Sequence, residues 1–127
     1  MKSRHLISAA LAAAALAGAS AASAATTPER DCFYSRNVNG FSAVDDSTIN
    51  LRVGVRDVYQ LNLFQPSHDL DFALGIGLES RGSTFICSGL DATLIVPSTI
   101  GPQRYPVTSI RKLSANEVAA LPKKQRP

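Results

Sequence analysis

His68, Asp69 and Asp71 form the one cluster in this chain whose residue types could do chemistry. An imidazole beside two carboxylates can hold a divalent cation, or act as a base and the group that orients it. That reading makes the protein a metal-assisted hydrolase. The same residues also make an ordinary polar surface loop, and the rest of the chain favours the loop. The only other histidine is His5, within an amino-terminal segment expected to be cleaved off. Asp45 and Asp46 suit a turn and have no local partner carboxylate. Ser88 in CSGLD departs from the G-x-S-x-G elbow, and Gly75-Ile76-Gly77 lacks the following helix of a dinucleotide site. No catalytic residue, metal site or cofactor is therefore expected.

Cys32 and Cys87 pose the sharper question: nucleophile, metal ligand or disulfide. A structural zinc site needs four Cys or His ligands, more than the chain offers once His5 is removed. A thiol nucleophile needs a histidine poised beside it, and His68 falls in a loop between expected strands. Compartment then decides. Met1 to His5 carry Lys2 and Arg4, Leu6 to Gly18 are apolar, and small residues follow. That pattern is a secretory signal peptide over 1–24, with cleavage after Ala22 or Ala25 nearly as good as after Ala24. Its apolar run is too short to span a bilayer. Ala19 stands where a lipoprotein signal would place its cysteine, so no lipid anchor or transmembrane segment is expected. In a periplasmic or secreted protein two cysteines read as a disulfide. Cys32–Cys87 would close a loop of about 56 residues, a constraint of about 4 kcal/mol in the chain-entropy account.

Cleavage also lowers the charge. Losing Lys2 and Arg4 takes the formal net charge from +3 to +1, which weakens a nucleic-acid partner. Local basicity remains at Lys123, Lys124 and Arg126, expected as a frayed tail over 123–127 with at most weak contact to an anionic surface.

The elements that must position these residues read as β-structure. After a polar leader at 25–31, short apolar runs alternate with turn signals every eight to twelve residues over a single domain at 32–122. Period-two alternation predicts strands at 48–55 and 58–64, joined as a hairpin with Arg56-Asp57 at its tip. Further strands are expected at 75–80, 84–88, 92–97 and 106–112. Leu94-Ile95-Val96 lacks alternation and suggests burial on both faces. Ser88 to Asp91 reads as a turn, and 64–74 as a loop. Ser114-Ala115-Asn116-Glu117 is a capping box that starts one short helix, ended by Pro122, with Leu113, Val118 and Leu121 to dock on the sheet. The aromatics Phe33, Tyr34, Phe41 and Tyr105 suit rim packing. The expected fold is all-β, a small antiparallel sandwich or partly open barrel of about six to seven strands. It carries one short C-terminal helix and one disulfide.

The ordered motifs NVNGFSAVDD, VGVRDVYQLNL, IGLESRG, ICSGLDA, IVPSTIGPQRYPV and LSANEVAALPKK resemble a family of small exported proteins of Gram-negative bacteria. That family is known only as a domain of unknown function. The resemblance covers residues 32–124 and implies an envelope location with no established activity, so it supplies no catalytic residues. It also implies that Cys32 and Cys87 match the family's cysteines. Two further cysteines, common in members, fall where this chain has Ser67 and Tyr105.

The expected function is thus a non-catalytic binding or structural module of the bacterial envelope, for an unidentified envelope protein or ligand. One alternative is an inhibitor of an envelope-attacking hydrolase, acting through the loop FQPSHDLDF or STIGPQRYP. The less favoured alternative is the hydrolase centred on His68, Asp69 and Asp71.

Overall fold

The computed structural model describes residues 32–82 and 84–127. The signal peptide and polar leader expected at 1–31 lie outside the described residues.

Alternating apolar residues drive the main sheet. In β3 (Thr48–Val53) and β4 (Asp57–Leu63), Ile49, Leu51, Val53, Tyr59, Leu61 and Leu63 point to one buried face. The opposite face carries Asn50, Arg52, Gln60 and Asn62, as the two-residue period of a strand requires. The hairpin between them turns at residues 54–56 rather than at Arg56-Asp57, with Val53 already paired to Asp57 and Gly54 at φ +64°. β2 (Val38–Asp45), unforeseen in the sequence, pairs with β3 on the sheet's edge. Its side chains are nearly all half-buried, so no alternation marks it.

β8 (Gln103–Lys112) is longer than expected and joins two halves of the sheet. Residues 103–106 pair with β7 (Ala92–Val96), and residues 107–112 pair with β4. The change of neighbour falls at Pro106, which has no N–H to give a ladder and whose carbonyl accepts from Phe64 N–H at 2.8 Å. β5 (Gly77–Ser80) pairs with β7 and closes the order β2-β3-β4-β8-β7-β5, a half-barrel of six antiparallel strands. The expected double burial of β7 is corrected by its pattern. Leu94 and Val96 are buried, while Ile95 is half-buried against Gly77.

The segment expected as a strand at 84–88 is shorter and belongs elsewhere. β6 (Phe85–Ile86) pairs only with β1 (Phe33–Tyr34), a two-stranded ribbon outside the main sheet. With these the described residues hold eight strands. The register Phe33↔Ile86 places Cys32 opposite Cys87, and the two form a disulfide with Cα atoms 4.2 Å apart. Phe33 and Ile86 seal the core beneath it, and the Phe33 ring lies 4.6 Å from that of Tyr59. Tyr34 and Phe85 pack together on the outside of the ribbon. Of the four aromatics expected at the rim, Phe33 and Tyr105 are buried, Phe41 is half-buried and Tyr34 is exposed.

The CSGLD turn explains itself at this point. Ser88 and Asp91 form a capping box around a 3-10 turn at Gly89–Asp91. A Cβ on Gly89 would overlap the backbone of Thr108 and Ser109, so only glycine lets this turn lie against β8.

The helix α1 (Ala115–Ala120) begins with the expected box. Ser114 Oγ accepts from Glu117 N–H at 3.2 Å, and the Glu117 carboxylate accepts from Ser114 N–H at 2.8 Å. Leu113 is buried, and Val118 and Leu121 are half-buried. The basic end departs from the frayed tail expected of it. Lys123–Gln125 form a 3-10 turn against the sheet's outer face, and Arg126 caps α1 by donating to the carbonyls of Leu121 and Ala119 at 2.9 and 3.2 Å.

Candidate functional site

β4 runs away from the Gly54 turn, so the loop that follows it emerges at the other end of the sheet. The register 48↔62 puts the β2–β3 turn at that same end. Because Leu63 faces Val107, the segment leading into β8 arrives there as well. Topology therefore gathers three connections: the turn at Asp46 and Ser47, the loop 64–76, and the turn 97–102.

The loop is pinned from beneath. Leu70 is buried in the core, and Ser67 N–H donates to the Asp46 carbonyl at 2.7 Å. Ser67 is itself fully buried, with no hydrogen-bond partner for its hydroxyl. The pinning leaves the polar residues between these anchors facing water. His68 Nδ1 lies 3.2 Å from Asp46 Oδ2, with 85% of its side chain exposed. Asp69 is exposed, and its carbonyl accepts from Phe72 N–H at 3.2 Å in the 3-10 turn Leu70–Phe72. Asp71 is exposed and lines both a cleft beside β2 and one shared with Asp45 and Asp46 of the β2–β3 turn. Among the described residues no three His, Cys, Asp or Glu side chains come together to hold a metal ion. His68, Asp69 and Asp71 do not make such a group. The imidazole pairs with a carboxylate that sequence proximity did not suggest.

What the loops do share is exposed apolar surface. Phe72 and Leu74 from one loop and Ile100 from the other are 83%, 102% and 85% exposed, with Phe64 close behind at the end of β4. Between the loops runs an apolar groove of about 410 Å³, lined by Asp69, Phe72, Leu74, Pro97 and Thr99 among others. Large apolar side chains gathered at one end of a small domain make that end the candidate contact surface. Both loops were singled out in the sequence as possible contact elements. What brings them to the same end, the pairing of β8 with both β4 and β7, is a tertiary signal.

The opposite, outer face of the sheet is polar and occupied by the chain's own C-terminal segment. Ser42, Asn50, Gln60 and Arg111 stand in one cross-strand row. Ser42 Oγ donates to the Lys124 carbonyl, and Asn50 Nδ2 donates to the Gln125 carbonyl at 2.9 Å. Gln60 donates to Asn50 at 3.2 Å, and Arg111 to Gln60 at 3.3 Å. Arg111 also donates to Glu117 at 2.7 Å. Glu117 titrates below the usual carboxylate range, chiefly through the Ser114 backbone N–H and then through Arg111. Among the described residues no helix is long and apolar enough to cross a membrane.

Residues 1–127 match a family model described as a family of unknown function (DUF6491). No curated protein and no solved structure matches the chain.

Proposed function

The chain belongs to DUF6491, a family of unknown function, and from that premise we propose a non-catalytic protein-binding module of the bacterial envelope. It works in the periplasm or outside the cell. The observation that carries the reading is the apolar loop end, where Phe72 and Leu74 line a groove shared with residues 97–99 and Ile100 stands in water on that same turn. Exposing these side chains has a cost in water that binding to a partner would recover, at about 25 cal/mol per Å² covered. The disulfide and the amino-terminal pattern support export. Inhibition of an envelope-attacking hydrolase is the specific form these tips suit, because exposed Phe72 and Ile100 could enter a partner's apolar cleft as anchors. Photo-crosslinking from position 72, with an equally exposed position at the other end of the sheet as control, tests the assignment.

A further inference from the structure

We infer that the open edge of β2 is a second binding site, one that takes an extended peptide of a partner protein as an added strand. The hydrogen-bond pattern sets which groups are available. Leu63 N–H donates to the Ser47 carbonyl, and Gly54 N–H donates to the Asn37 carbonyl. In an antiparallel sheet alternate residues bond alternate neighbours. Odd-numbered residues of β3 therefore bond β4, and Asn50 and Arg52 bond β2 through their partners Ser42 and Gly40. Phe41 and Ala43 are left with N–H and C=O turned to the open side. Among the described residues no backbone group outside the sheet ladder bonds them there.

This edge lies in a walled cleft. A cavity of about 570 Å³ follows residues 41–44, with Leu70, Asp71 and Ala73 on the core side and Lys124 and Gln125 on the outer side. At about 3.3 Å per residue, four strand residues offer roughly 13 Å of edge, room for about four residues of a partner. Register shifts on either side, at 38/40 and 43/45, confine the flat run to residues 40–43. Such irregularities discourage open-ended edge-to-edge assembly while leaving a short segment able to pair.

The walls specify the occupant. An added strand alternates its side chains between the two sides of the sheet. Core-side positions run past Phe41, Ala43, Leu70 and Asp71, and so select apolar residues with a base among them. Outer positions run past Lys124, an exposed cation on that wall, and select an acid. The peptide is an extended segment with apolar or basic residues alternating with acidic ones, bound by main-chain hydrogen bonds as in other strand additions. The inference adds a surface to the binding-module reading, and the two can fail separately because Phe72 lines the loop groove and not this cleft.

The test pans a display library of random nine-residue peptides against the full exported chain and maps the enriched peptides by amide hydrogen exchange. In the free protein, Phe41 and Ala43 amides should exchange faster than those of Gly40 and Ser42. Enriched peptides should slow Phe41 and Ala43 at least tenfold and carry the alternating pattern. Ala43→Pro removes an N–H that no strand of the sheet uses, and should abolish this binding. Asp71→Lys with Lys124→Glu, both on the surface, should reverse the charge preference, while Phe72→Ser should leave it intact. Enrichment of no peptide, or of peptides that leave Phe41 and Ala43 exchange unchanged, would overturn the inference. So would protection that rises with protein concentration in the absence of peptide, since the occupant would then be a second copy of the chain.

Discussion

Asn50, buried on the outer face of β3, donates its side-chain amide to the Gln125 carbonyl at 2.9 Å. A polar side chain with no exposure is tolerated there because both ends are used: its carbonyl oxygen accepts from Gln60. The C-terminal segment is thus held to the sheet by a contact 75 residues away in sequence.

Asn50→Leu keeps the volume close but leaves the Gln125 carbonyl and the Gln60 amide without this partner. The expected loss is about 1–3 kcal/mol in urea unfolding. Nitrogen-15 relaxation should show residues 123–126 becoming mobile on the nanosecond scale in the variant while β4 and β7 stay rigid.

Gly89→Ala should be more damaging than its single methyl suggests. The added Cβ meets main chain of β8, which cannot turn aside as a side chain could. Overpacking of this kind costs about 1–3 kcal/mol, read as a lower urea midpoint with an unchanged slope.

Cys32→Ser with Cys87→Ser should destabilise the domain by about 4 kcal/mol through freedom regained by the unfolded chain. The ribbon holding Phe33 and Ile86 over the core would also loosen, so near-ultraviolet circular dichroism from the Phe33–Tyr59 pair should weaken in the variant. The same signal surviving full reduction of the wild type, at unchanged stability, would contradict a structural role for the bond.

Glu117 gives a pH dependence of definite sign. Its folded pKa is lowered, so its contribution is present above the unfolded value and is lost as pH falls through the folded one. Glu117→Gln should therefore unfold more easily than wild type at neutral pH, and the gap in melting temperature should close progressively as the pH is lowered below the usual carboxylate range.

Much of this architecture was legible in the residues, for reasons that also mark where legibility ends. Ile49, Leu51, Tyr59 and Leu61 each face one core, so their period of two is clean. Ser114 and Glu117 announce the helix because a capping box is local chemistry. β2 was missed because an edge strand covered partly by the chain's own C-terminal segment shows neither alternation nor a continuous apolar run. Lys123 to Arg126 looked like a loose end because what holds them, Ser42 and Asn50, is remote in sequence. The contact His68 makes was hidden for a related reason: the carboxylate beside its imidazole is that of Asp46, from the β2–β3 turn.

The loop end carries the central claim, and a photo-reactive benzoylphenylalanine at position 72 tests it most directly. The comparison is the same probe at position 55, where Val55 is 89% exposed at the opposite end of the sheet. Irradiation of cells producing the full chain should yield one discrete adduct from position 72 and none from position 55. Adding Ile100→Ser from the facing loop should reduce that adduct at least severalfold without altering the melting temperature. Equal labelling from both positions, or an adduct at position 72 indifferent to Ile100, would contradict a binding role for this end of the molecule.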